Sequence, residues 1–398
     1  MIKPLSVFFL LILILPITMA AQADSANNAE ETEAAKKARQ TMLTLMREPT
    51  EAEQESMELL AKWSQQLTNY LLNHEQPYAQ AIGLNQTHTT LHATTDQDEA
   101  RLITIRQNYA DHINRLVKNK SLNIETFQLL QPLCFKKELD GYCDRQALLD
   151  KQMKQYPADL SVYTKPLEIA INEQNDELIK NLLRVMSGTH QMTHVDYLLP
   201  EFIDLIKDYI KTNPIPPKAL LRERNDLIAT TDFSEKDRKL IDDKLPETQV
   251  YIMLIGMQMA LPIPSLKPVK DVCQNNPQFS AECLYIANMM TQHGNSIISK
   301  ALGHIINIAV YELNDQQDML AASQGNHDRF KNYVECLSKS YSSNNDFVAD
   351  FFDKDYSQMW FAAEDELTRL NKIAAYLYNK RQAEGADNLK DPTTCQVQ

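Results

Sequence analysis

Along most of this chain apolar residues recur every three or four positions, and few stretches alternate with a period of two. That spacing puts apolar side chains on one face of a helix and predicts helices throughout. Thr50-Glu51-Ala52-Glu53 has the form of a capping box, and Leu59, Leu60, Trp63, Leu67 and Leu71 behind it make a core-facing stripe. Over residues 74–97 the composition turns to Gln, Asn, Thr and His, which reads as a connecting loop with room for a short helix. A helix over residues 98–118 then sets Leu102, Ile103, Tyr109, Ile113 and Leu116 on one side.

The stretch 134–186 has the most regular pattern. Cys134 and Cys143 bracket a polar loop holding Asp140-Gly141, a turn signal. Residues 144–155 are rich in helix formers, with Leu148, Leu149 and Met153 at helical spacing, and Pro157 stops them. Leu160, Val162, Leu167, Ala170 and Ile171 restart the pattern, which breaks at Asn172-Glu173-Gln174-Asn175-Asp176. Leu178, Ile179, Leu182, Leu183 and Met186 then form a second stripe. Two short amphipathic helices joined by a tight polar turn make an αα-hairpin. Neither can bury its stripe alone, so stacking against neighbours is the expected consequence.

Beyond it, Phe202, Ile203, Ile206, Tyr209 and Ile210 mark a helix that Asn213-Pro214-Ile215-Pro216-Pro217 must end. Helices are expected over 218–228 and, behind the box-like Ser234-Glu235-Lys236-Asp237, over 234–243. Residues 250–261 are nearly all apolar, with Met253, Met257 and Met259; a buried core helix is favoured over a methionine-lined peptide groove. Pro262, Pro264 and Pro268 then read as a stiff linker. Cys273 and Cys283 enclose a second polar loop, and Ile297 to Ala309 carries a long buried face. Further helices are expected near 327–341, 345–353 and 357–381. Only eight glycines occur in 398 residues. The expected fold is therefore all-α: packed helical hairpins forming a short irregular α-solenoid.

The N-terminus changes where this fold is expected to work. Residues 1–23 carry one lysine, an apolar run from Leu5 to Ile17, and Ala21-Gln22-Ala23 before Asp24, the pattern of a cleaved signal peptide. The run falls short of the roughly 20 apolar residues that span a bilayer. An exported, periplasmic or secreted chain is expected, with a flexible acidic segment at 24–48, a helical region at 49–261, the linker at 262–272 and a second helical region at 273–398. The net charge of -13 argues against nucleic acid or an anionic membrane surface as partner. All six cysteines lie beyond the leader, and an even number in an exported chain favours disulfides. Six cysteines allow 15 connectivities. Proximity selects Cys134–Cys143 and Cys273–Cys283, leaving Cys336–Cys395.

Tyr156-Pro157-Ala158-Asp159, the aromatic Tyr163 early in the first hairpin helix, and Asn175-Asp176 at its turn together resemble the helix-turn-helix unit of tetratricopeptide-like proteins. Pro166 falls inside the first of these helices, and the resemblance covers one unit of the chain. It implies an interaction scaffold that binds a protein or peptide.

The search for chemistry finds no phosphate loop, nucleophile elbow, His-Glu-x-x-His or Cys-x-x-Cys, and no cofactor motif. His190 and His194 would share a helical face at i, i+4, with Asp196 or Glu201 as a third metal ligand, but no glutamate follows His190 and a solvated loop is the favoured reading. His293, taken to lie at a helix start, and His304 are the other general-base candidates, with no oriented partner assignable; a capped helix end and a satisfied half-buried histidine are the favoured readings. Glu364-Asp365-Glu366 reads as an exposed helix face. The expected function is an exported scaffold or protein- and peptide-binding module. A cell-envelope hydrolase with a histidine-based site is the alternative, and a host-interacting structural protein is a third possibility.

Overall fold

The computed structural model describes residues 47–91, 99–119, 121–230, 234–262, 265–341, 347–386 and 389–395. The expected leader at 1–23 and nearly all of the acidic segment at 24–48 lie outside the described residues. What is described is all-α: 78% helical, with 18 helices and no strands. In chain order these are α1 (Glu51–Leu72), α2 (Pro77–Thr87), α3 (Glu99–Lys118), α4 (Ile124–Cys134), α5 (Arg145–Gln155) and α6 (Thr164–Asn172). There follow α7 (Asp176–Ser187), α8 (Pro200–Thr212), α9 (Leu221–Thr230), α10 (Glu235–Asp243), α11 (Leu245–Met259) and α12 (Lys267–Asn275). The last are α13 (Ser280–His293), α14 (Ile297–Leu313), α15 (Gln317–Tyr341), α16 (Phe347–Phe352), α17 (Lys354–Trp360) and α18 (Glu366–Ala383). Among the described residues no helix is long and apolar enough to cross a membrane.

Local chemistry sets many of the boundaries. Thr50 and Glu53 form the reciprocal box at the start of α1. Asn123, Asp144, Asn175, Ser234, Ser296 and Asp365 each accept a backbone N–H in the first turn of the helix they precede. Pro166 lies in the first turn of α6, where its missing N–H is no loss. In α2 and α4 the buried residues run almost unbroken along the helix, so neither presents the polar stripe by which an amphipathic helix is read. Residues 267–272, expected within the linker, are the first turns of α12, and Pro268 sits at its N-terminal end. Cys273 is therefore on a helix and not in a loop. The helix expected over 357–381 is divided into α17 and α18, because Asp365 caps a new start at Glu366.

The chain folds as two compact units. Among the described residues, the first comprises 47–70, those between 198 and 260, and 347–361, and the second those between 71 and 197, between 261 and 341, and between 362 and 395. Each is thus assembled from separated stretches, whereas the proline-based division runs linearly as 49–261 and 273–398.

In the first unit Trp63 of α1 is buried against Tyr209 of α8, ring centroids 6.1 Å apart, and its indole N–H donates to the Asn213 carbonyl at 2.9 Å. Glu53, also buried, accepts two hydrogen bonds from Arg47 at 2.6 and 2.7 Å and one from Asn225 at 2.9 Å. The Arg47 guanidinium in particular holds its carboxyl well below the usual carboxylate range. Phe351 anchors an aromatic cluster with Tyr356 and Trp360 at 5.2 and 5.4 Å. Met253 and Met257 are buried in α11, as a core helix requires, while Met259 at its end is exposed.

In the second unit α7 packs on α6 and α13, α14 packs on α12, α13 and α15, and α15 packs on α18. One apolar core runs through them, from Leu160, Leu167 and Leu183 to Val269, Ile286, Met290, Ile306 and Val310. The helices α13 and α14 approach most closely at Gly303, where a Cβ would stand 2.7 Å from the Ala287 carbonyl oxygen.

Three helices of this unit end in the same turn. After α6, the N–H groups of Glu173, Gln174 and Asn175 donate to the carbonyls of Ile169, Ile171 and Ala170. After α14, those of Asn314, Asp315 and Gln316 donate to Val310, Glu312 and Tyr311; after α18, those of Glu384, Gly385 and Ala386 donate to Lys380, Gln382 and Arg381. The central residues, Gln174, Asp315 and Gly385, have φ of 54°, 54° and 83°. This is the Schellman arrangement, and its left-handed position normally calls for glycine.

Candidate functional site

Residues 189–197 form a non-helical strap in the second unit. Asp159, fully buried ahead of α6, accepts from the Ser161 N–H at 2.9 Å, the Ser161 hydroxyl at 2.7 Å, and the Thr193 N–H and hydroxyl at 3.1 and 2.6 Å. The Leu160 N–H donates to the Gln191 carbonyl at 2.9 Å and the Asn295 N–H to the Met192 carbonyl at 3.4 Å. Asn295 clamps His194 from its side chain, accepting the His194 N–H at 2.7 Å and donating to its carbonyl at 2.9 Å. The Asn295 carbonyl in turn accepts the Glu366 N–H at 2.9 Å, and the Glu366 carboxylate accepts the Ile297 N–H at 2.7 Å. Arg369 pairs with Asp196. The strap thus ties together the N-terminal ends of α6, α14 and α18, and these helix starts are already occupied by the chain's own acceptors.

This placement corrects the reading of His190 and His194. The segment is not a helix, so i, i+4 spacing does not bring the rings together: His190 is exposed and His194 buried. Nor is it a solvated loop, since Thr189, Met192, Val195 and His194 are all buried. Burial lowers the His194 pKa, with the Asp196 carboxylate opposing. Asp196 is committed to Arg369, and Glu201 lies on α8, an element of the first unit. Among the described residues no group of three His, Cys, Asp or Glu can hold a metal ion.

Of the other histidines, one is placed differently than expected and one, His304, is half-buried as its favoured reading had it. His293 is the exposed last residue of α13, not the start of a helix. His304, half-buried on α14, faces His327 and Phe330 of α15 with ring centroids 6.2 and 5.4 Å away. Burial, then His327 and Lys300, lower its pKa. Nothing in the sequence distinguished His327, 23 positions away, as its neighbour. Among the described residues no hydroxyl or carboxylate is hydrogen-bonded to His293 or His304. The triplet Glu364-Asp365-Glu366 is not a solvated helix face either: Glu364 pairs with Lys372, Asp365 caps α18, and Glu366 holds the start of α14.

The cysteines pair as Cys134–Cys143, Cys273–Cys283 and Cys336–Cys395, each with Cα atoms 5.6 Å apart. The first closes the corner between α4 and α5, the second joins α12 to α13, and the third fastens the chain end to α15. Gly141, at φ of 78°, makes the turn that Asp140-Gly141 foretold.

Beside an open polar depression along Asn108, His112 and Arg115 of α3, two further features could serve a ligand. Leu178 and Val185 on α7, Tyr285 on α13 and Met319 on α15 are 38, 47, 68 and 49% exposed. Leu178 and Met319 each stand four residues after the left-handed residue of the repeated turn, so they occupy equivalent positions. The second feature is a cavity of about 130 Å³ whose lining includes Gln131, Phe135, Gln152, Lys165 and Glu168. Neither had a sequence signal, since an exposed stripe and a buried glutamine look like any helix residue until the packing is known. No protein-family model, no curated protein and no solved structure matches this chain.

Proposed function

We propose that this protein is an exported scaffold of helical hairpins, tetratricopeptide-like in its packing, that binds a protein or peptide on the outer side of α7, α13 and α15. The observation that carries the reading is that Leu178, Val185, Tyr285 and Met319 are large apolar side chains left in water on three helices of one unit. Tyrosine and methionine suit this role, one as a rigid amphipathic anchor and the other as an adaptable apolar contact. The hairpin logic supports it. The helix α14 lies against both α12 and α13, and the turn that ends α6 recurs after α14. Such units bury their cores through neighbours and leave one face free for recognition. Three disulfides and the leader-like residues 1–23 support a periplasmic or secreted location.

The test uses the chain from Asp24 with its disulfides intact as bait against an envelope or secreted fraction, beside the variants Tyr285→Asp and Leu178→Asp. A partner retained by the parent and weakened at least about tenfold by either variant supports the face. A partner retained equally by all three places recognition elsewhere and refutes the proposal.

A further inference from the structure

The cavity in the second unit is walled by α4, α5 and α6 together with Ser161, Pro262 and Ser265, and its polar groups are unequally satisfied. The Gln131 amide donates to the Gln152 side-chain carbonyl at 3.0 Å. A glutamine pair joined by one hydrogen bond leaves an N–H donor on one residue and a carbonyl on the other, whichever way the amides are turned. Here the unused donor is Gln152 Nε2, on a residue 1% exposed that lines the cavity and finds no acceptor among the described residues. A donor without a partner at the wall of a cavity is free to meet an acceptor that enters it. Lys165 and Glu168, 3.0 Å apart and half-buried, supply a cation and an anion to the same lining. Phe135, with the Lys165 ammonium 4.7 Å from its ring centroid, and Pro132 supply apolar wall.

Among its polar groups the lining offers the donors Gln152 Nε2 and Lys165 Nζ and the acceptors Gln131 Oε1 and Glu168, beside a short apolar surface. We propose that this cavity binds a small free α-amino acid, its carboxylate received by Gln152 and Lys165, its ammonium by Gln131 and Glu168, and its side chain by Phe135 and Pro132. At about 130 Å³ the cavity falls below the range of drug-sized pockets, which limits the ligand to the smallest amino acids. The lining shares no residue with Leu178, Val185, Tyr285 or Met319 and does not depend on their role.

The test is calorimetric titration of the full exported chain, disulfides intact, with glycine, alanine, serine and valine, and with N-acetylalanine and alanine amide as probes lacking one pole each. Lys165→Met and Glu168→Gln, at half-buried positions, leave the core intact; Gln152→Leu is the buried variant. Saturable one-to-one binding of at least one free amino acid is expected, weakened at least about tenfold when either pole is blocked and in each half-buried variant. Absence of saturation up to about 10 mM for all four amino acids overturns the proposal. Equal binding of a blocked probe, as a peptide end would show, overturns it too, and so does binding that ignores both Lys165→Met and Glu168→Gln.

Discussion

Glu223 of α9 offers a quantitative check on the first unit. Its side chain is buried, and neither carboxyl oxygen meets a donor from another residue. Burial, with repulsion from Asp226 added and the attraction of Arg222 opposing, raises its pKa from 4.5 to about 7. The folded state therefore holds this proton more tightly than the unfolded state. The stability it confers is complete below pH 4.5, falls as pH rises, and is gone above about pH 7. At 1.36 kcal/mol per pH unit, ionising the group in place costs the fold about 3 kcal/mol. Glu223→Gln keeps the shape without the proton equilibrium. Denaturant unfolding at pH 4, 5, 6, 7 and 8 measures the difference, and both tryptophans, Trp63 and Trp360, belong to the first unit, so their fluorescence follows its unfolding. The buried His194 and the half-buried His112 and His304 lie in the second unit and titrate with the opposite sign in both proteins, so the parent-minus-variant difference isolates Glu223. The variant should gain about 3 kcal/mol on the parent between pH 4 and pH 8. A difference that stays constant with pH refutes the reasoning.

Three further outcomes follow from the second unit. Gln174 holds a left-handed backbone without being glycine, so Gln174→Gly should stabilise the unit by about 1 kcal/mol in denaturant unfolding, and a loss would contradict the turn assignment. Asp159→Ala strips the strap of its buried acceptor and should cost about 3 kcal/mol, with faster amide exchange at Ser161 and Thr193; unchanged exchange at those two sites would show that the strap does not rely on Asp159. Replacing Cys336 and Cys395 together by serine removes a closure across 59 residues, with an expected loss of up to about 4 kcal/mol and earlier tryptic cleavage at Lys390; parent-like cleavage would mean the tail is held by other contacts.

The fold class was legible because helical periodicity and scarce glycine act locally, and so do the caps at Thr50, Asn175 and Ser234. The short-range cysteine pairs were legible for the same reason. What escaped depends on tertiary partners. The helices α2 and α4 are buried along nearly their whole length, so their apolar runs carry no period. The turns at Gln174 and Asp315 lack the glycine that signals a left-handed cap, and only Gly385 announces it. His194 looked like part of a solvated loop because the residue that clamps its backbone, Asn295, is 101 residues away in sequence. The cavity depends on glutamines of α4 and α5 meeting, which neither helix encodes alone.

Site-specific photocrosslinking tests the central claim most directly. A photoreactive residue replaces Tyr285 in the exported chain within its own envelope, and a control carries it at Lys154, an exposed polar position of the same unit. If α7, α13 and α15 form a recognition face, position 285 yields a discrete crosslinked protein that position 154 does not. Identical patterns at the two positions, or no crosslink at 285, would contradict the account.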